Sequence, residues 1–374
     1  MKLIHLSDLH IGKRVNEFPM IQDQEYILKS ILEIIDSEAP DGVIIAGDVY
    51  DKSVPSAEAV TLLDNFLVSL AKRSLEVYII AGNHDSPERL SFGNRLIEAS
   101  GIHISPIYSG NVEPYSLCGA NIYLLPFIKP AHVRACYPDE EISSYSDAIK
   151  VAVGKMNIDP SKVNVLVTHQ FVTGASQCDS EEISVGGSDN VEASVFEPFN
   201  YVALGHIHSP QNISPKIRYC GTPLKYSFSE ASHKKSVTVV EISDNSNLSV
   251  RTVPLTPIHD MVEIKGTFAD LTNKTYYEGT SLTDDYLHIT LTDENDIPDA
   301  ISKLRMIYKN IMRLDYDNKR TRHKVNISGA TDVDNKSPLD LFSDFYREQN
   351  GLEMTEQQSE YVSCLIEKIW EEEL

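Results

Sequence analysis

Short apolar runs alternate with amphipathic stretches over the first third of the chain. In the stretches at Glu25–Ile35 and 60–70, apolar residues recur every three or four positions, the period of a helix with one buried face. Between and beside them lie β-branched runs that predict strands, at Lys2–Leu6, Gly42–Ala46, Val77–Ala81 and Asn121–Leu125. This alternation indicates α/β units with a largely internal sheet.

The same pattern continues to about residue 258. Ser86 before Pro87 predicts the start of a helix, and Gly101 predicts its end. A loop from Gln170 to about Val195 is rich in Gly, Ser and acidic residues, and loops of that length in a compact domain are usually functional or mobile. Further strands are expected at Val163–Thr168, Tyr201–Leu204, Ile217–Cys220 and Ser236–Ile242.

The pattern then changes in a way that predicts three further regions. Residues 259–327 combine two strand-like runs, Met261–Ile264 and Tyr286–Leu291, with helical spacing from Ile297 to Ile311. We therefore expect a first domain over 1–258 and a small α+β domain over 259–327. A polar linker over 328–337 and a helical tail over 338–374 complete the prediction.

Charge and cysteine content narrow the class of protein. The 374 residues carry 33 basic and 55 acidic side chains, a net charge of −22. This balance argues against nucleic-acid binding by a basic surface alone, but not against an enzyme that reaches phosphates through metal ions. Five widely spaced cysteines, no membrane span and no signal peptide predict a cytoplasmic protein.

Five of the strand-like runs each end in a turn that carries a side chain able to bind a metal. Because strand ends in α/β sheets form the ligand crevice, these turns are expected to converge. Carboxylate, amide and imidazole donors without thiolates suit Mn²⁺, Zn²⁺ or Fe²⁺. The turns offer two Asp, one Asn and at least four His, which are too many for one ion and fit two ions that share a carboxylate.

The ordered series DLH, GDVYD, GNHD, TH and GHIH resembles the calcineurin-like metallophosphoesterase superfamily. Within it, KLIHLSDLHIGKR, VGGSD, YVALGHIHSPQ and IRYCGTPLKYSFSEASHKKSV resemble the nuclease subunits of DNA-repair complexes. The resemblance implies a four-layer α/β/β/α sandwich with a small capping domain and a helical tail. It also implies two divalent metals, with Mn²⁺ first and Mg²⁺, Fe²⁺ or Zn²⁺ as alternatives.

Carried over position by position, the resemblance assigns a role to each candidate. Asp48 would bridge the two ions, and His84 would be the catalytic histidine rather than a ligand. One ion would be held by Asp8, His10, Asp48 and His208, and the other by Asp48, Asn83, His169 and His206.

Three neighbouring residues have open roles. Asp51 stands where some related nucleases carry a histidine, and it is a candidate for orienting His84. Asp85 could orient His84 or cap its turn. Arg89 could face a phosphate or form a surface ion pair.

A basic stretch from Ile301 to Lys324 contrasts with the acidic chain, because it has eight basic and two acidic residues. Such a stretch is either a solvated helix face or a surface that contacts duplex DNA. The candidates for DNA contact are Lys303, Arg305, Lys309, Arg313, Lys319, Arg320 and Arg322.

The tail predicts two amphipathic helices, one starting at Ser337-Pro338 and one capped by Thr355 with Gln358. They could pack on their own domain or enter a groove of another protein. The resemblance implies that the partner is an ATPase subunit. This chain has no GxxxxGK[ST] phosphate loop, so ATP use is expected in that other subunit. The candidate contacts are Leu341, Phe342, Phe345, Tyr361, Leu365, Ile366, Ile369 and Trp370.

The resemblance thus predicts a two-metal DNA phosphodiesterase with ATP-dependent 3′→5′ double-strand exonuclease and endonuclease activity in DNA repair and recombination. A homodimer within a heterotetramer, near the nucleoid, is expected. Two alternatives stay open: a phosphatase or phosphodiesterase for small molecules, and a non-catalytic scaffold of the same fold.

Overall fold

The structure is a computed structural model that describes residues 1–105, 107–181, 190–243, 247–318, 321, 337–350 and 353–372. The side chains of 338, 348–350 and 367–372 are outside the description. The chain forms two compact units, one of residues 1–292 and 296–315, the other of 293–295 and 316–374. The predicted linker lies outside the described residues apart from Ser337.

The strands of the first unit reproduce most of the predicted runs, several with the same bounds. They are β1 Lys2–Leu6, β2 Arg14–Val15, β3 Phe18–Pro19, β4 Gly42–Ala46, β5 Glu76–Ile80, β6 Ile102–Ile104, β7 Tyr115–Leu117, β8 Ala120–Leu125, β9 Asn164–His169, β10 Tyr201–Gly205, β11 Gln211–Ser214, β12 Ile217–Tyr219, β13 Ser236–Ile242, β14 Leu248–Pro254, β15 Met261–Gly266, β16 Tyr286–Leu291 and β17 Asn310–Tyr316.

The α-helices of the described residues lie between these strands and in the tail. They are α1 Ile21–Glu38, α2 Ala57–Ala71, α3 Pro87–Leu90, α4 Asn94–Ile97, α5 Pro130–Cys136, α6 Tyr145–Gly154, α7 Phe268–Leu271, α8 Lys274–Tyr277, α9 Ala300–Arg305, α10 Pro338–Asn350 and α11 Glu356–Glu372.

Two six-stranded sheets form the centre of the first unit. The first has the order β14-β13-β1-β4-β5-β6 and the second β11-β12-β10-β9-β8-β7. Strands β1, β4, β5 and β6 of the first sheet are parallel to one another, as are β8, β9, β10 and β12 of the second, with Ile4 opposite Val43 and Val202 opposite Leu166. Parallel inner strands bring their carboxyl ends to one edge, where ligands bind in α/β folds.

The sheets face each other across an apolar core and are covered by helices outside. Ile44 and Ile80 of the first sheet share a buried cluster with Val165 and Ala203 of the second. Residues of α1 and α2 pack on the outer face of the first sheet, and residues of α6 on that of the second. Strands buried on both faces explain the continuous apolar runs in the sequence, and the layers follow the predicted α/β/β/α order.

The helix expected from Ser86 to Gly101 is wrong in its length. It begins as predicted, since Ser86 accepts a hydrogen bond from the backbone of Arg89, but α3 ends at Leu90. Gly93 then adopts φ 74°, in the left-handed region, and separates α3 from α4. Gly93 therefore lies between two short helices where the start and end signals predicted one helix.

The region after residue 258 contains a three-stranded sheet in the order β15-β16-β17. Helical spacing from Ile297 to Ile311 is wrong beyond α9, because Ile311 lies in β17. Pairing at the edge of this sheet overrode the local helical pattern. The sheet falls almost wholly within the first compact unit, and the separate capping domain stays a prediction.

The tail contains the two predicted helices with their predicted caps. The backbone of Asp340 donates to Ser337 Oγ over 3.2 Å, and that of Gln358 donates to Thr355 Oγ1 over 3.4 Å. No helix among the described residues combines the length and apolar character needed to cross a membrane.

Gly205, at the carboxyl end of β10, marks a close approach of the two sheets. A Cβ atom at this position would lie 1.8 Å from the carbonyl oxygen of Ala46 in β4 and 2.6 Å from Nδ1 of His169. Neither backbone can retreat, because both strands are fully buried. Only a residue without a side chain fits at position 205, and this allows the candidate metal donors of the two sheets to lie close together.

We predict that Gly205→Ala destabilises the protein by about 3 kcal/mol or more, because overpacking here displaces a main-chain carbonyl. The measurement is the midpoint of urea unfolding. Gly154→Ala is the control, since a Cβ there meets nothing within 4 Å, and it should change stability by no more than about 1 kcal/mol. Equal midpoints for the two variants would contradict the close approach.

Candidate metal centre

The five predicted turns converge at the shared carboxyl edge of the two sheets. The first sheet supplies the turns after β1, β4 and β5, and the second supplies the end of β9 and the turn after β10. A hydrogen bond crosses between the sheets at this edge: His169 Nδ1 donates to the carbonyl oxygen of Ala46 over 2.8 Å.

The backbone of these turns is unusual in a consistent way. Asp8, His10, Asp48 and His206 all have positive φ, at 52°, 44°, 47° and 95°. Residues with side chains rarely adopt this region, and where they do they cluster at functional sites. Gly47 beside Asp48 has φ 87°, so the GD turn is left-handed at both residues.

One group of donors consists of Asp8, His10 and His208, whose ligand atoms lie within 4.8 Å of one another. All three are nearly inaccessible, at 0%, 0% and 2% exposure. The Nε2 atoms of His10 and His208 are 3.1 Å apart. Asp48 Oδ2 lies 3.7 Å from His10 Nε2 and connects this group to the next.

The second group surrounds Asn83. Its Oδ1 lies 3.0 Å from His169 Nε2 and 3.0 Å from His206 Nδ1. Asp48 Oδ2 lies 3.3 Å from His169 Nε2. Asp48 thus stands between the two groups, in the position that the resemblance gives to a bridging carboxylate.

His84 borders both groups. Its backbone N–H donates to Asp48 Oδ1 over 3.0 Å, and its Nε2 lies 4.0 Å from Asp48 Oδ2. The distance from Nε2 is too long for a hydrogen bond, but close enough for contact with a group bound at Asp48. His10, Asp48 and His84 also offer donors within 4.8 Å, so geometry alone leaves a ligand role for His84 open.

The structure holds His84 by the main chain of Asp51, not by its carboxylate. His84 Nδ1 faces the Asp51 carbonyl oxygen at 3.1 Å. The Asp51 side chain accepts from Lys13 Nζ over 2.8 Å and lies 3.7 Å from His10 Nδ1. Asp51 thus contacts the His84 ring through its main-chain carbonyl, while its carboxylate faces His10.

Asp85 and Arg89 hold loops in place. Asp85 is buried and accepts hydrogen bonds from the backbones of Val49, Tyr50 and Gly82, which ties the GD turn to the GNHD turn. Arg89 is exposed and donates to the carbonyl of Ser53 over 2.7 Å. The geometry favours the capping role for Asp85.

Burial and mutual charge set the protonation of the cluster. Burial raises the pKa of Asp8 to about 6, and burial lowers that of His206 to about 3. For Asp48, burial is outweighed by His169, which holds the Asp48 pKa well below its usual range. Burial likewise opposes protonation of His169, but the Asp48 carboxylate raises the His169 pKa to about 9.

These residues fit divalent metal ions. Donors that share one ion with bonds of about 2.0–2.2 Å lie roughly 3.0–3.4 Å apart, as His10 and His208 do at 3.1 Å and Asn83 and His169 do at 3.0 Å. The 3.1 Å between the Nε2 atoms of His10 and His208 would let both nitrogens bind one ion through their lone pairs. A buried carboxylate surrounded by imidazoles is a donor set for Mn²⁺, Zn²⁺ or Fe²⁺.

Comparison with known proteins identifies the family. The family model described as calcineurin-like phosphoesterase matches residues 1–210. The chain belongs to the calcineurin-like phosphoesterase family. This membership confirms the predicted resemblance, the α/β fold class and a metal-dependent phosphoesterase.

Other similarities extend over the whole chain. Residues 257–350 match the model described as type 5 capsule protein repressor C-terminal domain. The chain is 32% identical over 378 residues to the D subunit of the nuclease SbcCD from Staphylococcus epidermidis, with 100% of both chains covered.

Solved structures with lower identity are also similar. A dimetal phosphatase from Danio rerio is 12% identical with a TM-score of 0.40, covering 69% of this chain and 98% of that one. The protein TT1561 of Thermus thermophilus is 10% identical with a TM-score of 0.36, covering 67% and 98%.

Sequence reasoning missed several residues of this phosphoesterase that support the candidate ligands. Gln24 donates to the carbonyl of His10 over 2.7 Å, and Tyr226 donates to that of Leu9 over 2.7 Å, which fixes the DLH turn. Ser180 and Glu230 lie behind His208. A signal existed only for Tyr226 and Glu230, which fall within the quoted run IRYCGTPLKYSFSEASHKKSV.

The candidate DNA contacts divide into three sets. Lys309 and Arg313 pair with Asp284 and Asp315 over 2.6 and 2.7 Å. Lys303 and Arg305 are exposed on α9, and no ion pair of their side chains is seen in the described part of the chain. Lys319, Arg320 and Arg322 lie outside the described residues.

We predict that adding Mn²⁺ to metal-free protein raises its thermal unfolding temperature, because the ions bind the folded donor set alone. At 100 times the dissociation constant, one ion contributes about 2.7 kcal/mol. Asp48→Ala should abolish the rise, and the exposed Asp64→Ala on α2 should retain it. A full rise in Asp48→Ala would exclude Asp48 as the shared ligand.

Proposed function

We propose that this phosphoesterase is the two-metal DNA nuclease subunit of an SbcCD-type complex, acting in DNA repair, recombination and replication. The carrying observation is the pair of buried donor groups joined through Asp48. The full-length similarity to the SbcCD nuclease protein of Staphylococcus epidermidis supports DNA as the substrate.

In this proposal Asp8, His10, Asp48 and His208 hold one ion, and Asp48, Asn83, His169 and His206 hold the other. The two metals, Mn²⁺ first, supply Lewis acidity and an activated water for in-line attack on phosphorus. Neutral imidazoles can bind a metal ion through a free lone pair, and burial keeps His10 and His206 neutral by lowering their pKa values. His169, whose pKa Asp48 raises to about 9, would have to be deprotonated to hold an ion.

His84 acts on the phosphodiester from beside the ions. Donation of Nδ1–H to the Asp51 carbonyl fixes the ring and directs Nε2 toward Asp48. A proton at Nε2 then neutralises charge on the phosphate oxygens or passes to the leaving oxygen. The hydrogen bond from the His84 backbone N–H to Asp48 fixes the position of His84 relative to the shared carboxylate.

Substrate binding and assembly complete the proposal. Lys303 and Arg305 contact the duplex backbone. The nuclease has 3′→5′ exonuclease activity and endonuclease activity, and both depend on ATP hydrolysis by an SbcC-type ATPase subunit.

Phe92 and Leu96 are 87% and 84% exposed, and these apolar side chains support contact with a second copy of the chain in a homodimer. The complex works in the cytoplasm, at the nucleoid.

The tail is proposed to bind the ATPase. Phe342, Phe345, Tyr361 and Leu365 are 42%, 57%, 67% and 41% exposed, which supports an apolar face free for a groove. Leu341 and Ile366 are half-buried. The side chains of Ile369 and Trp370 lie outside the described set.

We predict that the purified chain digests linear duplex DNA with Mn²⁺ and that His84→Ala loses at least about 100-fold in turnover, the usual scale for one proton-transfer group. The variant should still bind two Mn²⁺ ions per chain. His132→Ala, at an exposed histidine on α5, is the control. Loss of an ion in His84→Ala would make His84 a ligand, and hydrolysis of small diesters without DNA digestion would favour a small-molecule enzyme.

We predict that truncation after Gly329 leaves a folded, Mn²⁺-dependent nuclease while abolishing complex formation with the ATPase, because the apolar tail helices are removed. Co-purification and ATP-stimulated cleavage are the measurements. Phe345→Ala with Tyr361→Ala should weaken the complex in the same direction within the full chain. A truncated chain that still co-purifies at full strength would exclude the docking role of the tail.

A further inference from the structure

A buried polar network lies behind His208, and neither the proposed ligand set nor the reacting groups use it. Glu230 and Thr222 are 0% exposed and Lys235 is 5% exposed. Charged residues this deeply buried are rare unless they are paired. The network starts from the loop of β12 to β13 and reaches the candidate ligand through Ser180.

Lys235 anchors the network with all three of its donors. Its Nζ donates to Glu230 Oε2 over 2.5 Å, to Thr222 Oγ1 over 2.6 Å and to the His208 carbonyl over 2.9 Å. An ammonium group has three protons, so each one is used. The charge of Lys235 keeps Glu230 ionised and therefore an acceptor only.

The direction of the next two hydrogen bonds follows from counting protons. Ser180 Oγ lies 2.6 Å from Glu230 Oε1 and donates its one proton there. The hydroxyl can then only accept from His208 Nδ1, which lies 2.7 Å away. His208 therefore carries its proton on Nδ1, and its Nε2 presents a lone pair toward His10 and Asp8.

The segment that carries Ser180 is attached to His208 at a second point. Glu181 Oε1 accepts from the His208 backbone over 2.6 Å, and Glu181 Oε2 accepts from the Cys178 backbone over 3.0 Å. Residues 178–181 are therefore hydrogen-bonded to both the ring and the main chain of His208. Such outer partners typically change metal affinity by about 10–100-fold.

We propose that Ser180 is a positioning residue, held by Glu230 and Lys235, that selects the metal-binding tautomer of His208 and couples the placement of segment 178–181 to the occupancy of the ion site formed with Asp8 and His10. The inference rests on the proposed two-metal function. Because coupling is reciprocal, binding of this ion also tightens the segment against His208.

The test measures Mn²⁺ binding to the metal-free full chain by calorimetry. Ser180→Ala should weaken one of the two ions by about 10–100-fold and leave the other unchanged, and Ser180→Thr, which keeps the hydroxyl, should restore it. Ser176→Ala is the matched control, because Ser176 lies in the same loop and is exposed. Unchanged affinities in Ser180→Ala would overturn the inference.

A second measurement does not depend on metal or on activity. Nitrogen NMR of the metal-free protein should show His208 protonated on Nδ1 in the wild type and in Ser176→Ala, but a mixture of tautomers in Ser180→Ala. A single unchanged tautomer in Ser180→Ala would also overturn the inference. Failure of the wild type to bind two ions contradicts the proposed function as well, whereas normal wild-type binding with an unaffected Ser180→Ala contradicts this inference alone.

Discussion

The shared carboxylate of Asp48 is the constraint on which the centre depends. A carboxylate that is 2% exposed is costly unless cations or hydrogen bonds compensate it. Around it stand His10, His84 and His169, with Asp8 nearby as a further buried acid. In the protein alone the proton on His169 supplies the compensating charge, and metal ions supply it in the proposed function.

The scaffold places these groups with little freedom. Two sheets meet at their carboxyl ends, where Gly205 lies against the Ala46 carbonyl and His169 donates to the same oxygen. The left-handed turns at Asp8, His10, Asp48 and His206 direct the side chains inward. Strained turns persist because the surrounding core over-determines them, here through Gln24, Tyr226 and Asp85.

The histidines of the centre differ in how they are supported. His169 is oriented by a main-chain carbonyl inside the sheet edge, and His84 by the carbonyl of Asp51. His208 instead depends on Ser180, a side chain of a loop segment. A ligand whose orientation comes from a loop responds to the loop, whereas one oriented by a strand does not. This asymmetry is the reason to expect the two ions to differ in how they are regulated.

The sequence by itself determined most of the strand and helix runs, the order of the five turns and the family. β1, β4, β13 and β16 match their predicted bounds, because a mostly buried strand consists mainly of consecutive apolar residues, which can be recognised locally in the sequence. The tertiary structure alone decided the rest. Ile311 lies in a strand although its spacing is helical, and the Asp51 carboxylate faces His10. Ser180 is hydrogen-bonded to Glu230 and His208. These contacts join residues far apart in the chain and carry no period, so only the packing of the two sheets and their loops brings them together.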